Sequence, residues 1–153
     1  MTKPFSIGAV CLGVLSGVFW AAQAQASSSN LDVEIDGLRN QQGQVCLSLF
    51  SSSQGFPGES ANAIDKQCVK ITNTPLEVKF QNLRPGNYAV VVLHDSNGDN
   101  KINRNLFGIP KEGFGFSRNP TISFSAPKFS ETAFTVAGPS TKIQIQLKYL
   151  LGG

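Results

Sequence analysis

Histidine, tryptophan and methionine each occur once in this sequence, and charged residues make up only 15% of it. A single histidine, His94, rules out a histidine-rich metal centre. It also means that any histidine-based relay must be built around that one base. The formal net charge of +3 is too small to argue for a nucleic-acid or anionic-lipid partner of the whole chain. There are three cysteines and no C-x-x-C pair, which argues against a redox motif or a thiolate metal site. After the first apolar stretch there is no second run of membrane-spanning length, so no span is expected in the mature form. Beyond that stretch no helical period lasts more than a turn or two, apart from a brief helix expected around Ser60–Asp65.

What is present begins with that apolar stretch. Lys3 is followed by an apolar run from Phe5 to Ala22, then by the small-x-small sites Ala22-Gln23-Ala24 and Ala24-Gln25-Ala26. This is the pattern of a secretory signal peptide over residues 1–26, cut after Ala24 or Ala26. The expectation is an exported protein, periplasmic or extracellular. Removing the leader removes Lys3 and no other charge, so the formal net charge falls from +3 to +2. Cys11 leaves with it, and Cys46 and Cys68 remain, a pair expected to be oxidised in that compartment. Strand parity agrees. Each cysteine lies opposite the apolar residues of its own segment, so two neighbouring strands can present both sulfurs on one face.

A flexible polar lead is expected over 27–30, then one domain over 31–150. Leu31, Val33 and Ile35 alternate with acidic residues, which is the signature of a half-buried strand. Further strands are expected at 44–50, 66–71, 76–80, 89–93, 131–136 and 142–150. Pro85-Gly86 fits the centre of a type II turn. About seven short strands separated by Gly/Pro turns predict an all-β fold, a β-sandwich with one long loop over about 94–129. Within that loop a short extended piece is expected at 121–124.

That loop holds the candidate site. Asp95, Asn97 and Asp99 follow the D-x-[DN]-x-[DN] spacing that presents side-chain oxygens to calcium. Lys101 can add its carbonyl and Asn103 a further oxygen. Two positions depart from the pattern. Asn100 stands where glycine makes the sharp turn, and Leu106 stands where a bidentate Glu closes the loop, leaving Glu112 as a candidate replacement. A calcium site of this make-up would be weak, with Kd of about 10⁻⁴–10⁻³ M. The same residues also form turns through Asx hydrogen bonds with no metal, and both readings stay open. His94 with loop carboxylates such as Asp99 and Glu112 is the only route to a hydrolase, and no nucleophile motif accompanies it. The expectation is therefore a non-catalytic module.

Phe107, Phe114, Phe116, Phe124 and Phe129 are five of eleven phenylalanines, all in or beside the long loop. Phe107, Phe114 and Phe116 form either an exposed binding surface for a sugar, peptide or membrane partner, such as an envelope protein or glycan, or a cover over an open end of the sandwich.

The run Phe80-x-x-Leu83-x-Pro85-Gly86-x-Tyr88 before a Val-rich strand resembles the signature of transthyretin-like and carboxypeptidase-regulatory-like sandwiches. The combination of His94-Asp95-x-Asn97-x-Asp99-x-Lys101 with Gly108-Ile109-Pro110-Lys111-Glu112-Gly113-Phe114-Gly115-Phe116-Ser117 is more specific. It resembles a family of small exported bacterial proteins known as domain of unknown function 2141. Members read H-D-x-N-x-N/D-G-K before G-I-P-x-E-G-Y/F-G-F-S, and Asn100 replaces the usual glycine. The resemblance covers about residues 31–150 and implies an exported immunoglobulin- or prealbumin-like β-sandwich, with no activity to carry over. The functional expectation is a binding or structural module whose long loop is ordered by calcium, with a metal-free envelope adhesion or interaction protein as the alternative.

Overall fold

The computed structural model describes residues 28–122 and 125–151. The expected leader over 1–26, with Cys11, and Phe124 at the end of the expected 121–124 strand lie outside these residues.

Among the described residues, eight strands form two sheets. They are β1 (Ser29–Asp36), β2 (Gln44–Phe50), β3 (Asp65–Lys70), β4 (Leu76–Leu83), β5 (Gly86–Asp95), β6 (Gly113–Phe116), β7 (Phe134–Val136) and β8 (Ser140–Gln146). One sheet runs β4-β1-β8, with β1 antiparallel to β4 and parallel to β8. The other runs β3-β2-β5-β6, and β7 pairs with the start of β5. The sandwich is all-β, as the alternation predicts.

The core is the set of residues that alternation assigns inward. Leu31, Val33 and Ile35 of β1 pack against Val45, Leu47 and Leu49 of β2 and Val90 and Val92 of β5. The outward residues of β1, Asp32 and Glu34, pair with Lys79 and Lys142 at 3.0 and 2.9 Å. That face is charged and solvated.

The other outer face is different. The registers of β2, β5 and β6 place Cys46, Phe50, Val91, Leu93, Phe114 and Phe116 together on it. Phe56, from the loop after β2, stacks edge-on against Phe50 at 5.3 Å and against Phe129 at 5.8 Å. The five-stranded sheet thus carries a second apolar layer outside the main core. The phenylalanines cover a sheet face, not an open end of the sandwich.

Several expectations need correction. The lead over 27–30 already contains strand: β1 starts at Ser29, which is fully buried and whose hydroxyl donates to the Gly138 carbonyl. Residues 131–136 are not all strand. Phe129–Thr132 form a single helical turn, α1, because the Glu131 carboxylate turns back to accept the Lys128 N–H at 2.6 Å, and only Phe134–Val136 are extended. The brief helix near Ser60 is a 3₁₀ turn, Ser60–Asn62. The positive φ expected of Gly86 falls on Asn82 (φ 58), while Gly86 is already in β5. The Tyr88 hydroxyl then closes this corner by donating to the Arg84 carbonyl at 2.7 Å. The long loop is divided in two, since Gly113–Phe116 form β6 along β5.

Gly113 and Gly115 explain that strand. They face inward, where the end of β8 and the segment after it cross close. A Cβ on Gly113 would lie 2.4 Å from the Tyr149 ring, and one on Gly115 would lie 2.7 Å from Ile145 Cγ2. The alternating rings face outward into the second layer. Among the described residues, no helix is long and apolar enough to cross a membrane.

Candidate functional site

Cys46 and Cys68 are directly opposite in the β2–β3 register and form a disulfide, as strand parity predicts. The loop after β5 folds over it. Asn100, in the left-handed conformation at φ 61, places Oδ1 at 3.7 and 3.5 Å from the two sulfurs and accepts from Gln44 Nε2 at 3.0 Å.

Asp95 organises this loop. Its side chain is buried at the end of β5. Oδ1 accepts the N–H of Gly98 (2.7 Å) and Asp99 (3.1 Å), and Oδ2 accepts the N–H of Asn100 (2.9 Å) and Gln44 Nε2 (2.8 Å). Burial opposes its ionisation most strongly, but the Gln44 amide and the three backbone N–H groups together outweigh it. The carboxyl is held below the usual aspartate range.

Glu112 completes the brace, as its position beyond Leu106 allows. Oε1 accepts from Ser96 N–H at 3.2 Å, and Oε2 accepts from Asn103 N–H at 3.0 Å. One buried carboxylate therefore ties the two ends of residues 96–103. Asp99 is exposed. Hydrogen bonds from the Asn103 amide and the Lys101 N–H lower its pKa. Asn97 Nδ2 donates to Asp99 at 3.2 Å, and Lys101 sits in the loop as an exposed residue.

The structure thus brings Asp95, Asn97, Asp99, Asn103 and Glu112 into one loop, with their oxygens aimed largely at N–H donors. Among the described residues, no three His, Cys, Asp or Glu side chains converge as a metal centre would require.

His94 points to the opposite face, into the sandwich. Nε2–H donates to the Gln42 carbonyl at 2.8 Å, so Nδ1 accepts the Tyr149 hydroxyl at 2.6 Å. The Arg39 guanidinium lies 4.1 Å from the Tyr149 ring centre. Both imidazole nitrogens are occupied by structural partners. Leu106, where a closing Glu was expected, is fully exposed at a hairpin tip.

A family described as an uncharacterized protein conserved in bacteria (DUF2141) matches residues 33–144. The chain belongs to this family. No curated protein and no solved structure matches it. The matched span contains both the Asp95 loop and the Gly113–Ser117 run that builds β6.

Three contributors were not visible in the sequence. Gln44 joins Asp95 to Asn100. Tyr149 requires Gly113. Ser117 is buried and bridges β5 to α1, its hydroxyl accepting Val90 N–H at 3.0 Å and donating to the Thr132 carbonyl at 2.7 Å. The alternation of Gly with Phe in 113–116 was the available signal for the tight approach at Tyr149.

Between the outer face of β5–β6 and the long connection lies a hollow of about 620 Å³. Val91, Phe114 and Phe116 form its floor, Ile102 and Ile109 one wall, and Leu150 part of the rim. Phe107 also lines it while remaining 87% exposed. Of the three phenylalanines proposed as a surface, Phe114 and Phe116 are buried and only Phe107 is open.

Proposed function

We propose that this protein is an exported, non-catalytic β-sandwich module that binds a small apolar molecule or apolar group in the hollow over β5 and β6. The observation that carries this reading is the hollow itself: about 620 Å³, floored by side chains of the β5–β6 sheet and walled by Ile102, from the segment Glu112 ties at Ser96 and Asn103, and by Ile109. Ligand sites are typically concave, mostly apolar and of this size. The non-catalytic part of the reading is supported by His94, whose two nitrogens are held by Tyr149 and Gln42 inside the sandwich.

The test is titration with an environment-sensitive naphthalene dye against wild type and Val91→Arg. Val91 is half-buried on the outer face, so the substitution blocks the floor and leaves the main core intact. Saturable fluorescence enhancement that disappears in the variant, with an unchanged melting temperature, is expected. Equal enhancement in both proteins would remove the hollow as the site.

A second reading keeps calcium in the loop of Asp95, Asn97, Asp99, Lys101 and Asn103, with Glu112. One observation favours it: Asp99 Oδ2 and Glu112 Oε2 both reach the Asn103 side-chain amide, at 3.0 and 3.3 Å. A cation between these two carboxylates would need that amide to turn its oxygen inward. A rise in melting temperature with millimolar calcium, reversed by chelator and absent in Asp99→Asn, would carry this reading. An envelope protein or glycan docking on Phe107 is the third occupant, and it predicts loss of association in Phe107→Ser alone.

A further inference from the structure

The tip of the long connection carries the two most exposed large apolar side chains among the described residues, Leu106 at 102% and Phe107 at 87%. Frayed chain does not account for this exposure. Asn105 and Ile109 close a tight hairpin, with Asn105 N–H donating to the Ile109 carbonyl at 2.9 Å and Gly108 N–H to the Asn105 carbonyl at 3.0 Å. Asn105 Oδ1 accepts the N–H of Phe107 and Ile109 at 2.9 and 3.0 Å. Gly108 supplies the positive φ of 76° that the turn needs, and Arg104 donates to its carbonyl at 2.8 Å. The tip is a stiff, convex wedge whose two leading side chains touch water.

Its nearest charges are cationic, and the exposed Asp99 lies behind them at the start of the segment. Lys101, Arg104 and Lys111 flank the wedge and are exposed. No acidic residue lies between residues 100 and 111. Glu112, next in sequence, is buried and turned inward onto Ser96 and Asn103. A protein partner for a convex wedge would need a matching pit. A bilayer interface instead accepts a short apolar projection ringed by cations, because the rings and alkyl groups enter the headgroup–acyl boundary while the cations meet anionic headgroups.

We infer that the Leu106–Phe107 tip is a membrane-docking wedge that inserts into the surface of an anionic lipid bilayer. Insertion needs no ligand in the hollow, and it would bring the mouth of the hollow, at Phe107, to the lipid surface.

The test uses the polypeptide from Ser27 onward, whose core side chains run from Leu31 to Leu147, so that the apolar leader does not itself partition. Co-sedimentation is measured with vesicles of phosphatidylglycerol and phosphatidylcholine, and with phosphatidylcholine alone. Binding is expected to the anionic vesicles only. It should fall at least about tenfold in Leu106→Ser/Phe107→Ser, through lost apolar insertion. It should fall roughly fivefold for each of Lys101→Gln, Arg104→Gln and Lys111→Gln. Because the tip is fully exposed, melting temperatures should not move. The lone tryptophan, Trp20, lies in the leader, so Phe107→Trp reports from the tip alone. Its emission should shift to the blue on vesicle addition and be quenched by bromolipids. No binding to anionic vesicles at low salt overturns the inference. So does binding that survives Leu106→Ser/Phe107→Ser, since that is charge attraction without insertion. A concentration-dependent dimer lost in the same variant, with no vesicle binding, assigns the wedge to a second copy instead.

Discussion

Replacing Asp95 by alanine removes the acceptor for four donors at once. Three are backbone N–H groups of residues 98–100, and the fourth is the Gln44 amide. Residues 98–100 are exposed, so water can partly take over their N–H groups, and each lost bond is set at the ordinary ~1 kcal/mol, not the higher charge-assisted value. Gln44 is half-buried and keeps its second bond to Asn100 only while the loop holds its place. Four bonds at that value come to about 4 kcal/mol, a large share of the 5–15 kcal/mol typical of a domain. With an ordinary urea slope the unfolding midpoint should fall by about 1–2 M, measured by circular dichroism. Asp95→Asn should lose about half as much, because one oxygen remains while an NH₂ group faces Asn100 and Gln44. Acid adds a second check. Asp95's folded pKa is depressed, so the unfolded state takes up its proton first as pH falls. Its stabilisation is complete above the ordinary aspartate pKa of about 3.9 and is lost as pH falls through the lowered folded value, so Asp95→Asn should show a shallower acid limb than wild type. A midpoint for Asp95→Ala within about 0.3 M of wild type would refute the loop-brace argument, because it would mean that water replaces all four bonds without loss.

Other outcomes follow from the same geometry. Gly115→Ala should cost about 1–3 kcal/mol by denaturant titration, since its Cβ meets Ile145 Cγ2 at 2.7 Å and the Gln146 carbonyl at 3.2 Å. Tyr149 has its pKa raised by burial, so the folded state keeps that proton while the unfolded state loses it. Stability from this group is therefore full below about pH 10 and falls above it. Tyr149→Phe should flatten that alkaline limb and cost about 1 kcal/mol at neutral pH for the lost bond to His94. The double variant Cys46→Ser/Cys68→Ser, which opens a cross-link between residues 22 apart, should lose about 3 kcal/mol, read as a lower melting temperature by calorimetry.

Much of the sandwich was legible because its core follows strict alternation. β2 was expected at its observed limits, and the cystine followed from which way each cysteine faced. β6 was missed for a physical reason. The usual rule puts apolar residues inward and polar ones outward, but Gly113 and Gly115 face a core too crowded for a Cβ, and Phe114 and Phe116 face outward into a second apolar layer. Residues 131–136 were misjudged because the bond from Lys128 N–H to Glu131 winds the first half into a turn that alternation does not register. At the site, the spacing of Asp95, Asn97 and Asp99 marked a tight loop, and Asn100, at the position where the pattern has glycine, is left-handed. It could not show that Asp95 points its oxygens at amides, because the loop's path depends on Gln44 and Glu112, which lie 51 residues before and 17 residues after it.

The parallel pairing of β1 with β8 sets an order of events. β1 is the middle strand of its sheet, and its two partners arrive at different times: β4 after about fifty residues, β8 only after Ser140. A chain that emerges from its N-terminus, from a ribosome or through a pore, must hold β1 with one flank bare until β8 is out. Such long-range closure is slow, and it leaves an unpaired strand open to wrong partners meanwhile. Closure of this sheet is therefore a late step, and a chain cut short before Ser140 should fail as a whole and not merely lose its final strand.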